Sequence, residues 1–306
     1  METVLGTMYY GTRTDEATSM RLLDRFVERG GTWIDTANAY AFWSDPSGVG
    51  GQSERLVGRW LARRPGLRDR VRISTKMRYQ PVAPGDWPAS AEGMSAKAVR
   101  GAVTLSLQRL GIEAVDLYWA HGEDRDVPLD ESVAAFADLV DEGLVRRLGA
   151  SNHATWSLER ARVVAGRRPR FTAVQLRWSY VRPRPGAALP DSGHLYADEQ
   201  ALDYVRSNPD LVLWGYTPLV NGAFVRADRP LPEAYDHPGT ARRLAVLGEV
   251  ADELGATRNQ VVLAWMRGGD PAVLPIVGAS TLAQLDEALD EVVLTPAQRE
   301  RLDAAV

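Results

Sequence analysis

The sequence predicts an α/β protein folded as one (β/α)8 barrel domain over residues 1–306, on three observations. Short apolar, β-branched runs alternate with amphipathic segments of helical period almost from end to end, as in a parallel sheet wrapped by helices. The runs number eight in 306 residues, which matches the count and size of a closed barrel of roughly 250 residues or somewhat more. No GxGxxG follows the first run, and the nearest glycine cluster, Gly48-Val49-Gly50-Gly51-Gln52-Ser53, lies after the second and lacks the last glycine. That counts against a doubly wound sheet.

The first strand is expected over residues 4–8, followed by a helix whose apolar face is Met20, Leu22, Leu23, Phe26 and Val27. The second, 32–35, leads through a loop at 41–52 to a helix carrying Leu56, Val57, Trp60 and Leu61. The third, 71–75, leads through a loop at 77–94 to Val99, Val103, Leu107 and Leu110. The fourth, 115–119, precedes a helix with Val133, Phe136, Leu139 and Val140. The remaining strands are 145–149, 171–175, 211–215 and 273–277, with further long connections at 181–195 and 221–239. All four long connections follow strands, so they are expected on the strand C-terminal face, where barrel enzymes keep their chemistry. No linker composition or repeat divides the chain.

Composition removes several function classes. Without cysteine there is no disulfide, thiolate nucleophile or thiolate-held metal, and His121, His153, His194 and His237 fall in no HExxH-like spacing, so no metal is expected. A net charge of −4 with scattered arginines argues against nucleic acid; Arg63-Arg64 and Arg167-Arg168 read as solvated helix ends. No stretch approaches the ~18 apolar residues that span a bilayer, and no signal core opens the chain, so a cytoplasmic location is expected.

Polar residues recur where the strands stop: Asp35 and Tyr40 after the second, Lys76 after the third, His121 after the fourth, Ser151 and Asn152 after the fifth, Gln175 after the sixth, Tyr216 after the seventh and Gly278 to Thr281 after the eighth. Singly each has an ordinary structural explanation, but one barrel mouth collects them all. A phenol of reference pKa near ~10 is a poor acid unless a cation favours the phenolate, which Lys76 would supply; Asp35 would hold that lysine charged, and His121 would donate to a carbonyl oxygen. No side chain carries hydride, so a cofactor must. A hydrolase using Asp35 and Glu54 as paired carboxylates is the alternative, and it leaves Lys76, Asn152 and Gln175 without a role.

These motifs resemble the aldo-keto reductase superfamily. Asp35-Thr36-Ala37-Asn38-Ala39-Tyr40 is similar to its DTAxxY element, Ser53-Glu54 with Gly58 to its SExxxG pattern, Ser74-Thr75-Lys76 to its lysine strand, and Asp116-Leu117-Tyr118-Trp119-Ala120-His121 to its DLYxxH. The resemblance implies an NAD(P)H-dependent oxidoreductase in which Asp35, Tyr40, Lys76 and His121 form the catalytic tetrad, acting on a carbonyl or alcohol substrate. It also implies cofactor contacts. Gly149-Ala150-Ser151-Asn152 with Gln175 would hold the nicotinamide carboxamide and Tyr216 would stack on its ring. Thr217, Leu219 and Asn221 would form the pyrophosphate loop, and Gly278, Ser280, Thr281, Gln284 and Glu287 would receive the adenosine end.

Two departures stand out. The last segment lacks the lysine or arginine that many members pair with the 2′-phosphate, unless Arg242 or Arg243 reaches it; NADP(H) is the expected cofactor with NAD(H) as the alternative. The first strand also begins almost at Met1, without the usual preceding hairpin. Tyr9, Tyr10, Phe42, Trp43, Tyr79, Trp87 and Trp119 are candidates for an aromatic pocket taking an apolar or ring-bearing substrate. A cofactor-binding regulatory subunit of the same fold is the second reading, and a monomer or small homo-oligomer is expected.

Overall fold

Eight parallel strands close on themselves in chain order in the computed structural model, which describes residues 3–187, 189 and 193–305. They are β1 (Val4–Gly6), β2 (Trp33–Asp35), β3 (Arg72–Met77), β4 (Leu117–Ala120), β5 (Leu148–Ser151), β6 (Phe171–Arg177), β7 (Val212–Tyr216) and β8 (Val273–Val277). The helices among them are α1 (Glu16–Glu28), α2 (Gln52–Ala62), α3 (Leu67–Arg70), α4 (Ala96–Leu110), α5 (Leu129–Asp141), α6 (Thr155–Ala165), α7 (Glu199–Ser207), α8 (Pro238–Leu254), α9 (Arg258–Arg267), α10 (Leu282–Leu289) and α11 (Pro296–Ala304). The barrel is the fold the alternation predicts; α3, α9 and α11 are additions to the expected one helix per strand.

Helix starts follow capping chemistry. Asp15, Ser95, Asp198 and Thr281 each accept a backbone N–H with their side chains, and Thr257 and Thr295 form capping boxes with Gln260 and Gln298. Two strands, β4 and β5, begin two and three residues later than the sequence indicates. The carboxylate of Asp116 accepts the Ile73 N–H at 2.8 Å and pairs with Arg68 at 2.7 Å, so a side chain replaces ladder bonds there, and only an isolated bridge joins Val115 to Val145.

Along each strand, residues two apart share a face. One face, carrying Ile34, Ile73, Tyr118, Leu148, Val174 and Leu213, meets the helices in the large core. The other points into the barrel, where Trp33, Trp119 and Trp214 pack edge to face with centroids 5.1 and 5.2 Å apart among Val4, Leu117, Ala173 and Ile276. Gly149 makes room for this filling, because a Cβ there would lie 2.2 Å from the Trp119 ring. The indoles plug the barrel, so the polar strand ends above them form a cup with a closed floor.

Outside, α2 rests on α4 through Gly58, whose Cβ would stand 2.1 Å from the Arg109 carbonyl oxygen. Gly58→Ala is therefore expected to destabilise by ~1–3 kcal/mol through forced separation of the helices. Gly101→Ala, at a position of α4 where a Cβ meets nothing within 4 Å, is expected to stabilise by about 0.5–1 kcal/mol. Thermal unfolding of the two variants should move in opposite directions; equal shifts would refute this packing argument.

Candidate active site

Alternation on the inner face carries the filling layer into the cup. Trp33 is followed two residues on by Asp35, Ser74 by Lys76, Trp119 by His121, Gly149 by Ser151, Ala173 by Gln175 and Trp214 by Tyr216. Registers of Asp35 with Ser74 and Lys76 with Trp119 set the first of these side by side.

Lys76 and Asp35 are buried side chains, at 0% and 2% exposure, with Nζ 2.5 Å from Oδ2. Nζ also donates to the Thr36 carbonyl at 2.8 Å and to the Tyr40 hydroxyl oxygen at 3.0 Å, so all three ammonium hydrogens are committed. The other carboxylate oxygen of Asp35 accepts from Ser74 Oγ at 2.6 Å. Burial alone would lower the lysine pKa, but Asp35 and Tyr40 outweigh it and the ammonium is held above its ordinary value. For Tyr40 the balance reverses: burial pushes the phenol up more than Lys76 pulls it down. The expected lowering by lysine is present but does not prevail.

His121 faces Tyr40 with ring centroids 5.9 Å apart. Burial, then electrostatic interaction with Lys76, His194 and Arg78, push its pKa well below the ordinary histidine value, which keeps the imidazole neutral. Its Nδ1 is buried with no hydrogen-bond partner.

Beside this group, Ser151 and Gln175 are register partners on β5 and β6. Gln175 Nε2 is a buried donor with no partner, on a residue 2% exposed. Asn152 is already saturated: Nδ2 donates to the His121 carbonyl at 3.2 Å and Ser151 Oγ at 3.1 Å, while Oδ1 accepts from the Tyr216 hydroxyl at 2.7 Å and Leu195 N at 3.2 Å. Arg177, absent from the sequence candidates, extends the same inner face because β6 runs past Gln175; its guanidinium lies over Tyr216 at 5.6 Å. The period-two pattern from Ala173 and Gln175 is the signal that reaches it.

Thr217 and Asn221, on either side of Leu219, adopt left-handed φ values of 56° and 57°. With Val220, Asn152 and Arg78 they make up the described non-glycine residues of positive φ, every one in a connection following a strand. Such conformations cost about 1–3 kcal/mol each and concentrate at functional rims. At the last strand, Gly278 opens onto space, Thr281 caps α10, and Gln284 Oε1 accepts from Ser280 N at 2.9 Å and Oγ at 3.0 Å. Glu287 accepts from Asn259 of α9 at 3.3 Å, which adds a residue the sequence analysis missed.

Other candidates are placed elsewhere. Arg242 is exposed, and Arg243 is buried against Tyr180, donating to its carbonyl at 3.2 Å; the cavity that Arg243 lines is shared by none of Gly278, Ser280 and Gln284. Glu54 accepts from Thr75 at 2.6 Å and pairs with Arg109 at 3.0 Å, binding α2 to β3 and α4. A carboxylate so engaged is no partner for Asp35 in hydrolysis. Tyr10 belongs to the outer core and Trp119 to the barrel filling. The rest of the aromatic set forms an arc: Tyr9 to Trp43 at 6.4 Å, Trp43 to Phe42 at 5.1 Å, Phe42 to Trp87 at 5.6 Å, Trp87 to Tyr79 at 6.4 Å and Tyr79 to His121 at 5.1 Å. Among the described residues no group of three or more His, Cys, Asp or Glu side chains forms a metal-binding cluster, and no helix is long and apolar enough to cross a membrane.

A (β/α)8 barrel with a buried Lys–Asp pair beneath a mouth phenol is the framework of a carbonyl-reducing oxidoreductase. The model of the Aldo/keto reductase family matches residues 2–306, and the chain belongs to that family; it is an NAD(P)H-dependent oxidoreductase. Among its relatives, the uncharacterized oxidoreductase YrpG of Bacillus subtilis is 31% identical, covering 95% of this chain and 87% of that protein. Norsolorinic acid reductase A of Aspergillus parasiticus is 29% identical, over 97% of this chain and 74% of that one. The crystal structure of a thermostable aldo-keto reductase, Tm1743, with the inhibitor epalrestat superposes with a TM-score of 0.75 at 24% identity, covering 99% of this chain and 94% of that chain, and shows the shared fold.

Replacing Lys76 by Met leaves Asp35 buried without its counter-charge, a change that costs roughly 3–5 kcal/mol. Denaturant unfolding of Lys76→Met should show that loss, and the double variant Asp35→Asn with Lys76→Met should recover part of it. A single variant as stable as the parent would contradict the buried pair.

Proposed function

We propose that this enzyme reduces an aldehyde or ketone, and runs the reverse oxidation, with Tyr40 as the proton donor to the carbonyl oxygen. The observation carrying this reading is the arrangement of hydrogen bonds around the phenol. Lys76 donates to the Tyr40 oxygen, so the phenol is an acceptor there and its own O–H remains to be given outward, towards the cup. As that proton leaves, the developing phenolate sits 3.0 Å from an ammonium that Asp35 keeps charged. Neutral His121, on the other side of the same space, donates to the carbonyl oxygen and orients it.

A bound NAD(P)H supplies the hydride. The residues fit such a group: the unpartnered Nε2 of Gln175 and the hydroxyl of Ser151 are available to a carboxamide, while Asn152 positions Tyr216 and Ser151. Thr217, Leu219 and Asn221 are assigned to the pyrophosphate, and Gly278, Ser280, Thr281, Gln284 and Glu287 to the adenosine end, next to the N-terminus of α10. No lysine or arginine hydrogen-bonds to Ser280, Thr281 or Gln284 among the described residues, so NADP(H) is expected to outbind NAD(H) by less than about tenfold. Tryptophan-quenching titrations with NADPH and NADH measure that ratio; binding of neither would remove the nicotinamide site from this reading.

The aromatic arc leading from His121 to Tyr9 supports an aromatic or apolar carbonyl compound as substrate, held by its ring faces.

Tyr40→Phe is expected to abolish most turnover while cofactor affinity stays near that of the parent, since the phenol acts on substrate. Retained activity would sink the assignment. The pH dependence follows from the directions of the shifts. Tyr40 is active in reduction when protonated, and its pKa is raised, so kcat for reduction should be lost only as pH rises past ~10. His121 is active when neutral and its pKa is depressed, so no decline should appear as pH falls through ~6.5. A kcat profile with its midpoint near neutrality would show that another group governs proton transfer.

A further inference from the structure

The outer wall of the barrel carries a cavity that this chemistry does not use. It has a volume of about 350 Å³ and lies among α7, α9 and α11, lined by Trp178, Arg182, Arg206, Arg243, Trp265 and Arg299. Trp178 and Trp265, stacked on each other with centroids 5.7 Å apart and planes 20° from parallel, give it an apolar side, and the Arg182 guanidinium lies over the Trp178 ring at 5.6 Å.

Four arginines line it against three carboxylates, Glu199, Asp270 and Asp303. Arg182 pairs with Glu199 at 2.7 Å and Arg206 with Asp270 at 3.3 Å, while Asp303 accepts the Trp265 indole N–H at 2.6 Å. Arg299 donates to the Trp265 and Ala264 carbonyls at the end of α9, and Arg243 to the Tyr180 carbonyl; neither has a carboxylate in ion-pair contact among the described residues. Arg243 is only 4% exposed. A buried guanidinium normally requires a counter-ion, since its desolvation is otherwise uncompensated. Burial and then the neighbouring Arg182 cation press the Arg243 pKa downward, against a smaller opposing pull from Tyr180, Tyr196 and the Asp303 carboxylate. Arg182 itself has a buried Nε with no hydrogen-bond partner, although its Nη1 is paired. Two guanidiniums outside ion-pair contact, a third with a spare donor and two indoles share one space large enough for a small molecule, with Asp303 as the one lining carboxylate that pairs with no arginine among the described residues.

We propose that this cavity binds a small organic anion, a carboxylate or phosphate ester carrying a flat apolar body. The anionic group sits between Arg182, Arg243 and Arg299, and the apolar body lies against the lining atoms of Trp178 and Trp265. The site stands apart from the barrel mouth, so it does not depend on the proposed reduction.

Isothermal titration of the full chain with benzoate and with phenyl phosphate, each with and without NADPH, tests this. At least one of these anions is expected to bind once per chain at millimolar strength or tighter, independently of NADPH; the tighter of the two identifies the headgroup. Loss of one charged hydrogen bond in Arg182→Gln should weaken binding by about tenfold or more. Glu199→Gln, which releases Arg182 from its paired carboxylate, should tighten it. Both substitutions lie at the solvent edge of the cavity and are readable even if Arg243→Gln does not fold. Absence of binding by either anion, or binding that neither variant alters, would overturn the site.

Discussion

Everything at the mouth of this barrel depends on the buried ion pair of Lys76 and Asp35. Two opposite charges at 2.5 Å, taken out of water, are tolerable only when each remaining hydrogen-bond position is filled, because an unfilled one exposes the full cost of desolvation. Here Ser74 takes the second carboxylate oxygen, and the Thr36 carbonyl and Tyr40 hydroxyl take the other two ammonium hydrogens. The orientation of the phenol is thus set by a demand of the pair. The proposed catalytic geometry and a structural necessity coincide in one network, whose members come from β2, β3 and the turn after β2.

A second level of support lies beneath and behind that network. The indoles of Trp33, Trp119 and Trp214 fill the barrel, so the polar residues two positions further along each strand have a floor to stand on. Behind it, Ser53 bonds Thr7 and Thr36, and Glu54 joins Thr75 to Arg109, fastening α2 against the strands that carry Asp35 and Lys76. Ser53, Glu54 and Gly58 form a family-like motif, and their role here is to clamp a helix to the sheet.

The sequence makes the fold legible because burial on both faces of a parallel sheet leaves continuous apolar runs that helical segments interrupt. Strand ends were less legible. Asp116 takes over ladder hydrogen bonds before β4, and β6 continues to Arg177 through polar residues that interrupt its apolar run. At the site, Asp35, Tyr40, Lys76 and His121 could be picked out because each is polar where an apolar run stops. Asn259 could not, since it lies mid-chain in an ordinary helix sequence and meets Glu287 only through the packing of α9 on α10. The depressed histidine and raised phenol were equally hidden, because both arise mainly from burial, which a sequence does not state. Tyr10 and Trp119 show the converse: an aromatic near a strand end reads alike whether it lines a pocket or fills a core.

One stretch of chain serves both faces of the barrel wall. From Gln175 to Arg182 the inner positions, Gln175 and Arg177, turn to the cup, while Trp178 and Arg182 line the outer cavity and Tyr180 receives Arg243. Between them, Trp178 N donates to the Tyr216 carbonyl and Ser179 Oγ to the Pro218 carbonyl at 2.6 Å, so the same stretch fixes the start of the strained turn holding Thr217 and Asn221. The alternation that lets a strand bury two faces also lets it present different chemistry on each. An arginine-rich cavity on the outside and the unpartnered Nε2 of Gln175 on the inside are therefore neighbours across a single backbone, though the space each opens onto is separate.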